Sequence, residues 1–341
     1  MKLEAKTERL LLHFRQPAGT SRGVYTERRI WLIRLSDGER TGVGECAPLP
    51  DLSCDAMDDE AYNDLLTRAC EDLCLSGHID TDALRPYPSI LFGLETAMLN
   101  LQNGDRLFDT AFSRGEAGIP INGLVWMGSY DEMLRRIEEK LEKGFRCVKL
   151  KIGAIGFEEE LSLVRHIRSR FSSHDVELRL DANGAFSCDM ALRMLEQLSP
   201  YHVHSIEQPI RQGQWTQMSR LCQESTLPIA LDEELIGINA PETKRLMLRV
   251  IKPRYIILKP SLHGGMAGCR EWIDMARDMG IGSWITSALE SNIGLNAIAQ
   301  FAAAVYGDDI SMPQGLGTGQ LFTDNIPMPL EIRGDRLWRC H

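Results

Sequence analysis

The chain has 341 residues, of which 43% are hydrophobic and 25% charged, so it can bury the cores of one large domain and a smaller one. Its formal net charge is -10 and it has no block of five or six like charges, which argues against nucleic acid as a partner. No apolar run approaches the ~20 residues needed to cross a bilayer, so we expect no membrane partner.

The N-terminus and the cysteines indicate the compartment. The N-terminal segment has only a short apolar stretch preceded by charges, unlike a signal peptide. Nine cysteines are scattered without C-x-x-C spacing, which is typical of reduced thiols. We therefore expect a cytoplasmic protein.

The first part of the chain, residues 1–117, is predicted to form an α+β capping domain. Residues 26–48 alternate as in a β-hairpin turning at Ser36, Asp37 and Gly38. Residues 56–76 and 88–103 have the apolar spacing of helices.

From residue 118 to 310 the pattern becomes a repeat of short apolar runs and amphipathic stretches. Seven runs predict strands, at 119–125, 147–152, 176–182, 204–209, 228–234, 255–260 and 282–290. Helical patterns lie between them, for example at 130–144, 157–171 and 266–280. Such a series favours a modified TIM barrel of the (β/α)7β type, with an open doubly wound sheet as the structural alternative. Residues 311–341 lose the helical pattern and are predicted to return to the capping domain.

Four ionisable residues end consecutive predicted strands. They are separated by 26, 25 and 27 residues along the chain, and they are Asp181, Glu207, Asp232 and Lys259. Strand carboxyl ends open on one face of a barrel, so these side chains are expected to surround one mouth.

Three carboxylates at one mouth require a cation, because like charges in one site raise each other's pKa. An all-oxygen set from Asp181, Glu207 and Asp232 suits Mg²⁺, with Mn²⁺ as a possible substitute. No histidine or cysteine falls at a matching position, which disfavours zinc.

One strand earlier, Lys149 and Lys151 lie on the same side of the chain because a strand has a period of two. Lys151 is nearer the strand end and is the better candidate for a general base, because a lysine beside a divalent cation is more easily deprotonated. Lys149 is expected to assist it. Any one of these strand-end residues alone is explained more simply as a turn or helix-cap residue. The prediction rests on the regular spacing of the whole set.

These residues, in order, resemble the enolase superfamily, in the muconate lactonizing enzyme-like subgroup with lysines on the second and sixth barrel strands. The segments that carry the resemblance are Lys149-x-Lys151, Asp181-Ala182-Asn183-Gly184, Glu207-Gln208-Pro209, Asp232-Glu233 and Lys259-Pro260. Further segments resemble the dehydratases of menaquinone biosynthesis within that subgroup, namely residues 258–265, 287–294 and 315–318.

The resemblance implies a metal-assisted syn-dehydration of a small carboxylate substrate, a succinyl-substituted hydroxycyclohexadiene carboxylate, through an enediolate. Lys151 would remove the α-proton, and Lys259 would stay protonated on the opposite face. Glu233 would orient the site's ligands. Ser291, Gly317, Thr318 and a cap residue, Arg22, are expected to bind substrate.

Two alternatives stay open at this point. The same lysines would serve an N-acylamino acid racemase or a dipeptide epimerase, and a barrel can also lose catalysis and only bind a ligand. The sequence does not fix the oligomeric state.

Overall fold

A computed structural model describes residues 2–20, 23–308 and 310–340. It contains a three-stranded antiparallel sheet, a seven-stranded parallel sheet and a small three-stranded sheet near the C-terminus. No helix in these ranges is long and apolar enough to cross a membrane.

The N-terminal part folds as predicted, with an antiparallel sheet backed by helices. Its strands are β1 (Glu4–Thr20), β2 (Gly23–Ser36) and β3 (Thr41–Cys46). Ser36 pairs with Thr41, so the predicted hairpin is confirmed, and Gly38 supplies the positive φ of its turn. The helices are α1 (Asp59–Ser76), α2 (Thr81–Leu84) and α3 (Pro88–Asn103).

The larger sheet is parallel and its strands lie in chain order, as right-handed βα repeats produce. After the two-residue strand β4 (Ile119–Pro120), its strands are β5 (Gly123–Val125), β6 (Cys147–Lys151), β7 (Glu177–Asp181), β8 (Ser205–Glu207), β9 (Ile229–Leu231), β10 (Tyr255–Leu258) and β11 (Gly282–Ile285). Its helices are α4 (Tyr130–Glu142), α5 (Phe157–Arg170), α6 (Cys188–Leu198), α7 (Trp215–Glu224), α8 (Pro241–Ile251), α9 (Gly265–Asp278) and α10 (Asn292–Tyr306).

The C-terminal segment closes the ring. Gln314 forms a parallel bridge with Ile121 at one edge of the sheet, and Gly315 forms one with Thr286 at the other edge. Residues 314–315 therefore occupy the eighth position, and the predicted (β/α)7β barrel is confirmed, with a final strand reduced to two bridge residues.

The rest of the C-terminal segment reaches the capping sheet and forms most of the small third sheet. Phe322 bridges to Phe14 of β1, so this stretch reaches the capping domain. Strands β12 (Leu330–Arg333) and β13 (Arg336–Arg339) form a hairpin, and β13 pairs with β4. The division at 1–117, 118–310 and 311–341 stays a prediction.

Helix α3 joins the capping sheet to the barrel. On one side it lies directly on β3, where small residues allow the backbones to approach closely. On the other side Glu95 accepts the backbone N–H groups of Met266 (2.6 Å) and Ala267 (2.9 Å), in the first turn of α9. These N–H groups lack partners inside the helix, so the carboxylate caps it.

We expect Gly44→Ala to lower the free energy of unfolding. A Cβ at Gly44 would lie 1.9 Å from the carbonyl oxygen of Gly93, so strand and helix must separate. Overpacking of this kind costs about 1–3 kcal/mol. Urea unfolding checks it, with Gly156→Ala as the control because its nearest neighbour is the flexible end of Glu159. Equal stability of the two variants would contradict the close packing.

We expect Glu95 to make stability depend on pH. Burial raises the pKa of Glu95 to about 7 from 4.5. The unfolded chain therefore releases this proton near pH 4.5, while the folded chain keeps it until about pH 7. Stability thus falls as pH rises across this window. Glu95→Gln should remove about 2 kcal/mol of the difference in unfolding free energy between pH 5 and pH 8; an unchanged difference would contradict the assignment.

Candidate active site

The strand-end residues meet at one mouth of the barrel. Lys151 pairs in register with Asp181 across β6 and β7, and Asp181 pairs with Glu207 across β7 and β8. Asp232 follows β9 and Lys259 follows β10. The structure thus brings together all the predicted metal ligands and lysines.

The carboxylates are buried and their charges are met by lysines. Lys149 Nζ lies 2.8 Å from Asp181 Oδ2 and 2.6 Å from Glu207 Oε2, so one ammonium bridges two acids. Lys151 Nζ lies 2.9 Å from the same Asp181 oxygen. Lys259 forms an ion pair with Asp232.

The balance of burial and ion pairing shifts the pKa values of Asp181 and Glu207 in opposite directions. Burial disfavours the ionised form of Asp181, but Lys149 and Lys151 outweigh it and hold its pKa below the ordinary value. Burial raises the pKa of Glu207 well above its ordinary value, and the nearby charge of Asp181 adds to the effect. The lysines therefore favour the ionised form of Asp181, but they do not overcome the cost of burying the charge of Glu207.

Unpartnered oxygens at this mouth fit a hard cation. Glu207 Oε1, Asp232 Oδ1 and Glu233 Oε2 are buried and accept no hydrogen bond. In the described ranges no three acidic, histidine or cysteine side chains already enclose a point where an ion would sit. Lys149 occupies the space between Asp181 and Glu207. All-oxygen donors are the ligands that Mg²⁺ and Mn²⁺ prefer.

Asn183 orients Lys151, a role that the sequence analysis did not assign. Its Oδ1 lies 2.7 Å from Lys151 Nζ, and its Nδ2 donates to Glu233 Oε1 at 2.9 Å. Asn183 adopts a left-handed conformation with φ 44°, which asparagine tolerates better than most residues. Its place beside Asp181 and Gly184 was the available signal, and it was also consistent with a simple turn.

A cavity of about 890 Å³, including its open mouth, lies above these residues. Both parts of the protein line it: the capping domain supplies Tyr25, Leu49 and Leu52, and the barrel supplies the lysines and aromatic side chains such as Trp126 and Trp284. Trp284 was not predicted to line the cavity. It stands two residues before Thr286, which also lines the cavity, and alternate residues of a strand point to the same side.

The predicted substrate-binding residues lie in different places. Gly317 and Thr318 line the cavity. Ser291 is not among the residues that line the cavity. Its hydroxyl donates to Glu45 and accepts the N–H of Ile293 at the start of α10. Its position therefore gives no support for a substrate contact. Arg22 lies outside the described residues.

Comparisons with known proteins agree with this arrangement. The model "Enolase C-terminal domain-like" matches residues 132–336, and the model "MenC, N-terminal domain" matches residues 20–101. The o-succinylbenzoate synthase of Desulfotalea psychrophila is 46% identical over 98% of each chain.

The chain belongs to the o-succinylbenzoate synthase family of the enolase superfamily.

Solved structures support this family membership and the fold. The crystal structure of MenC from Desulfotalea psychrophila LSv54 superposes with a TM-score of 0.84 at 42% identity, covering 99% of this chain and 100% of that one. A dipeptide epimerase from Enterococcus faecalis, complexed with Mg and a dipeptide, has a TM-score of 0.84 at 16% identity, covering 100% and 98%. At that identity it shows the fold alone. This member of the o-succinylbenzoate synthase family is thus an enzyme of the enolase superfamily.

We expect Asn183→Ala to lower kcat for dehydration of the cyclohexadiene carboxylate by about tenfold to a hundredfold, because Lys151 loses the partner that aims it. Steady-state kinetics check this, with exposed Asn63→Ala as the control. An unchanged kcat would contradict the orienting role, and a change in KM alone would indicate a substrate contact instead.

Proposed function

We propose that this enzyme is a lyase that dehydrates 2-succinyl-6-hydroxy-2,4-cyclohexadiene-1-carboxylate to 2-succinylbenzoate, in menaquinone biosynthesis. The observation that carries the proposal is the placement of two lysines across the barrel. Lys151 ends β6 and Lys259 follows β10, four positions apart in a ring of eight. The two lysine side chains therefore stand on opposite sides of the cavity.

Asp181, Glu207 and Asp232 would hold the divalent metal, which we propose is Mg²⁺. When bound, it would stabilise the negative charge that develops on the substrate carboxylate as the α-proton leaves. The buried, unpartnered oxygens of Glu207 and Asp232 support this ligand set.

Lys151 is the proposed base and acid. Its neutral amine takes the proton from C1 of the ring, and the electron pair left on carbon forms the new ring double bond as the C6–O bond breaks. The same ammonium returns its proton to the departing hydroxide, which leaves as water. Both transfers occur on one face, so the elimination is syn, and the product ring is aromatic.

Lys259 keeps its charge during this sequence. Burial disfavours its ammonium, but Asp232 and Glu233 outweigh it, so the pKa of Lys259 lies above its ordinary value. A permanent cation opposite the base stabilises the planar intermediate and the forming ring. Lys149 forms ion pairs with Asp181 and Glu207, which favours the ionised form of both carboxylates and holds them in place.

The second arm of the substrate, its succinyl group, would bind to the cavity wall. Gly317 and Thr318 line the cavity just after the eighth barrel position, whereas the carboxylates lie at the ends of the third to fifth; a hydroxyl and a backbone N–H there would hold the succinyl group. A racemase of N-acylamino acids is the second candidate, because facing lysines also suit proton transfer on two faces of one carbon.

We expect Lys151→Ala to reduce kcat by at least about a thousandfold, because the single group that moves both protons is lost. Loss of substrate absorbance with Mg²⁺ present measures turnover; exposed Lys143→Ala is the control, and EDTA should abolish wild-type activity. Turnover that survives in Lys151→Ala would contradict the assignment of the base. A wild-type enzyme that exchanges the α-proton of N-acylamino acids in D₂O, and does not dehydrate, would favour the racemase.

A further inference from the structure

Arg28 is a buried cation outside the cavity. It lies on β2, is 2% exposed, and is not among the residues that line the site. Its guanidinium donates to the carbonyl oxygens of Ala47 and Pro48 in the capping domain. On its other side it donates to Leu289 O at 3.1 Å and to Ala288 O at 3.3 Å in the loop after β11. One side chain thus joins the capping domain to a loop of the barrel.

Placing a charge here is costly, since a buried cation loses its hydration. Burial lowers the pKa of Arg28, while Glu290 and Glu45 counteract this. An apolar side chain would fill the same space without that cost. The guanidinium provides directional hydrogen bonds that an apolar side chain lacks, because its planar set of N–H donors can hold several carbonyl groups in place at once.

The loop that it holds needs such support. Leu289 has φ 66°, a left-handed conformation that costs a non-glycine residue about 1–2 kcal/mol. Such a conformation persists only where the surroundings determine it. Glu290 contributes from the barrel side: its carboxylate accepts the hydroxyl of Ser261 and, at 2.6 Å, the N–H of Ala288.

The same loop is a wall of the cavity. Ser287, Ala288 and Leu289 all line it. Ser287 Oγ lies 2.6 Å from Thr318 Oγ1, so a shift of the loop would also move Thr318. The catalytic lysines lie outside this loop, since Lys151 ends β6 and Lys259 follows β10.

We propose that Arg28 is a positioning residue that sets this wall and thereby determines affinity for the second arm of the substrate, an inference that rests on the proposed function. It acts through the backbone of Ala288 and Leu289 and touches no reacting atom. Its loss should therefore weaken binding of the arm while leaving the chemistry nearly intact.

Arg28→Lys tests the proposal, because lysine keeps the charge but cannot reach carbonyl groups on both sides. We expect KM for the cyclohexadiene carboxylate and the inhibition constant of 2-succinylbenzoate to rise about tenfold, with kcat within about threefold. The inhibition constant of benzoate, which lacks the arm, should not change. Arg29→Lys is the matched control: Arg29 is adjacent on β2, and its exposed side chain pairs with Asp59.

Ser261→Ala keeps the proposal testable if Arg28→Lys does not fold, as judged by its thermal transition. It removes the hydroxyl that Glu290 accepts and so loosens the same loop. We expect it to raise KM and the inhibition constant of 2-succinylbenzoate about threefold. Wild-type values in these variants, or an equal weakening of both inhibitors together with a loss of kcat, would overturn the proposal. Absence of turnover by the wild-type enzyme would instead contradict the proposed function.

Discussion

The neutralisation of three buried carboxylates is the constraint on which the rest of the active site depends. Asp181 and Asp232 are fully buried, and Glu207 is nearly so. An isolated carboxylate in such surroundings would take up a proton. The barrel opposes this by placing lysines at both ends of the row of three acids, Lys151 before Asp181 and Lys259 after Asp232. The site is therefore stable as a set, and removal of one member leaves a partner's charge uncompensated.

The capping domain is fastened to the barrel through the barrel's helices. Glu95 accepts the first N–H groups of α9, and Glu45 accepts those of Ser291 and Gly294 at the start of α10. Both acids satisfy donors that a helix cannot satisfy itself. The cap is thus held by backbone groups whose positions the barrel fixes. This explains how a cavity with walls from two parts of the chain keeps one shape.

The sequence predicted most of the fold and the centre of the site, because both follow from short periods. The period of two placed Lys149 and Lys151 on one side of a strand, and regular βα spacing placed Asp181 and its counterparts at one mouth. What it missed depends on contacts between distant segments. The eighth barrel position at 314–315 has no strand-like pattern of its own. Arg28 reads as an ordinary charged residue until its partners, some 260 residues away, are known.

Closure of the ring by residues 314–315 has a consequence for synthesis of the protein. All seven strands are synthesised before the segment that bridges to Ile121 beside β5 and to Thr286 beside β11. Until then the nascent sheet has two open edges, which in other proteins invite pairing with a neighbouring chain. The barrel mouth that carries Asp181, Glu207 and Asp232 is complete only once residues 314–315 have been made. Residues 314–315 therefore determine when the barrel can close around its site.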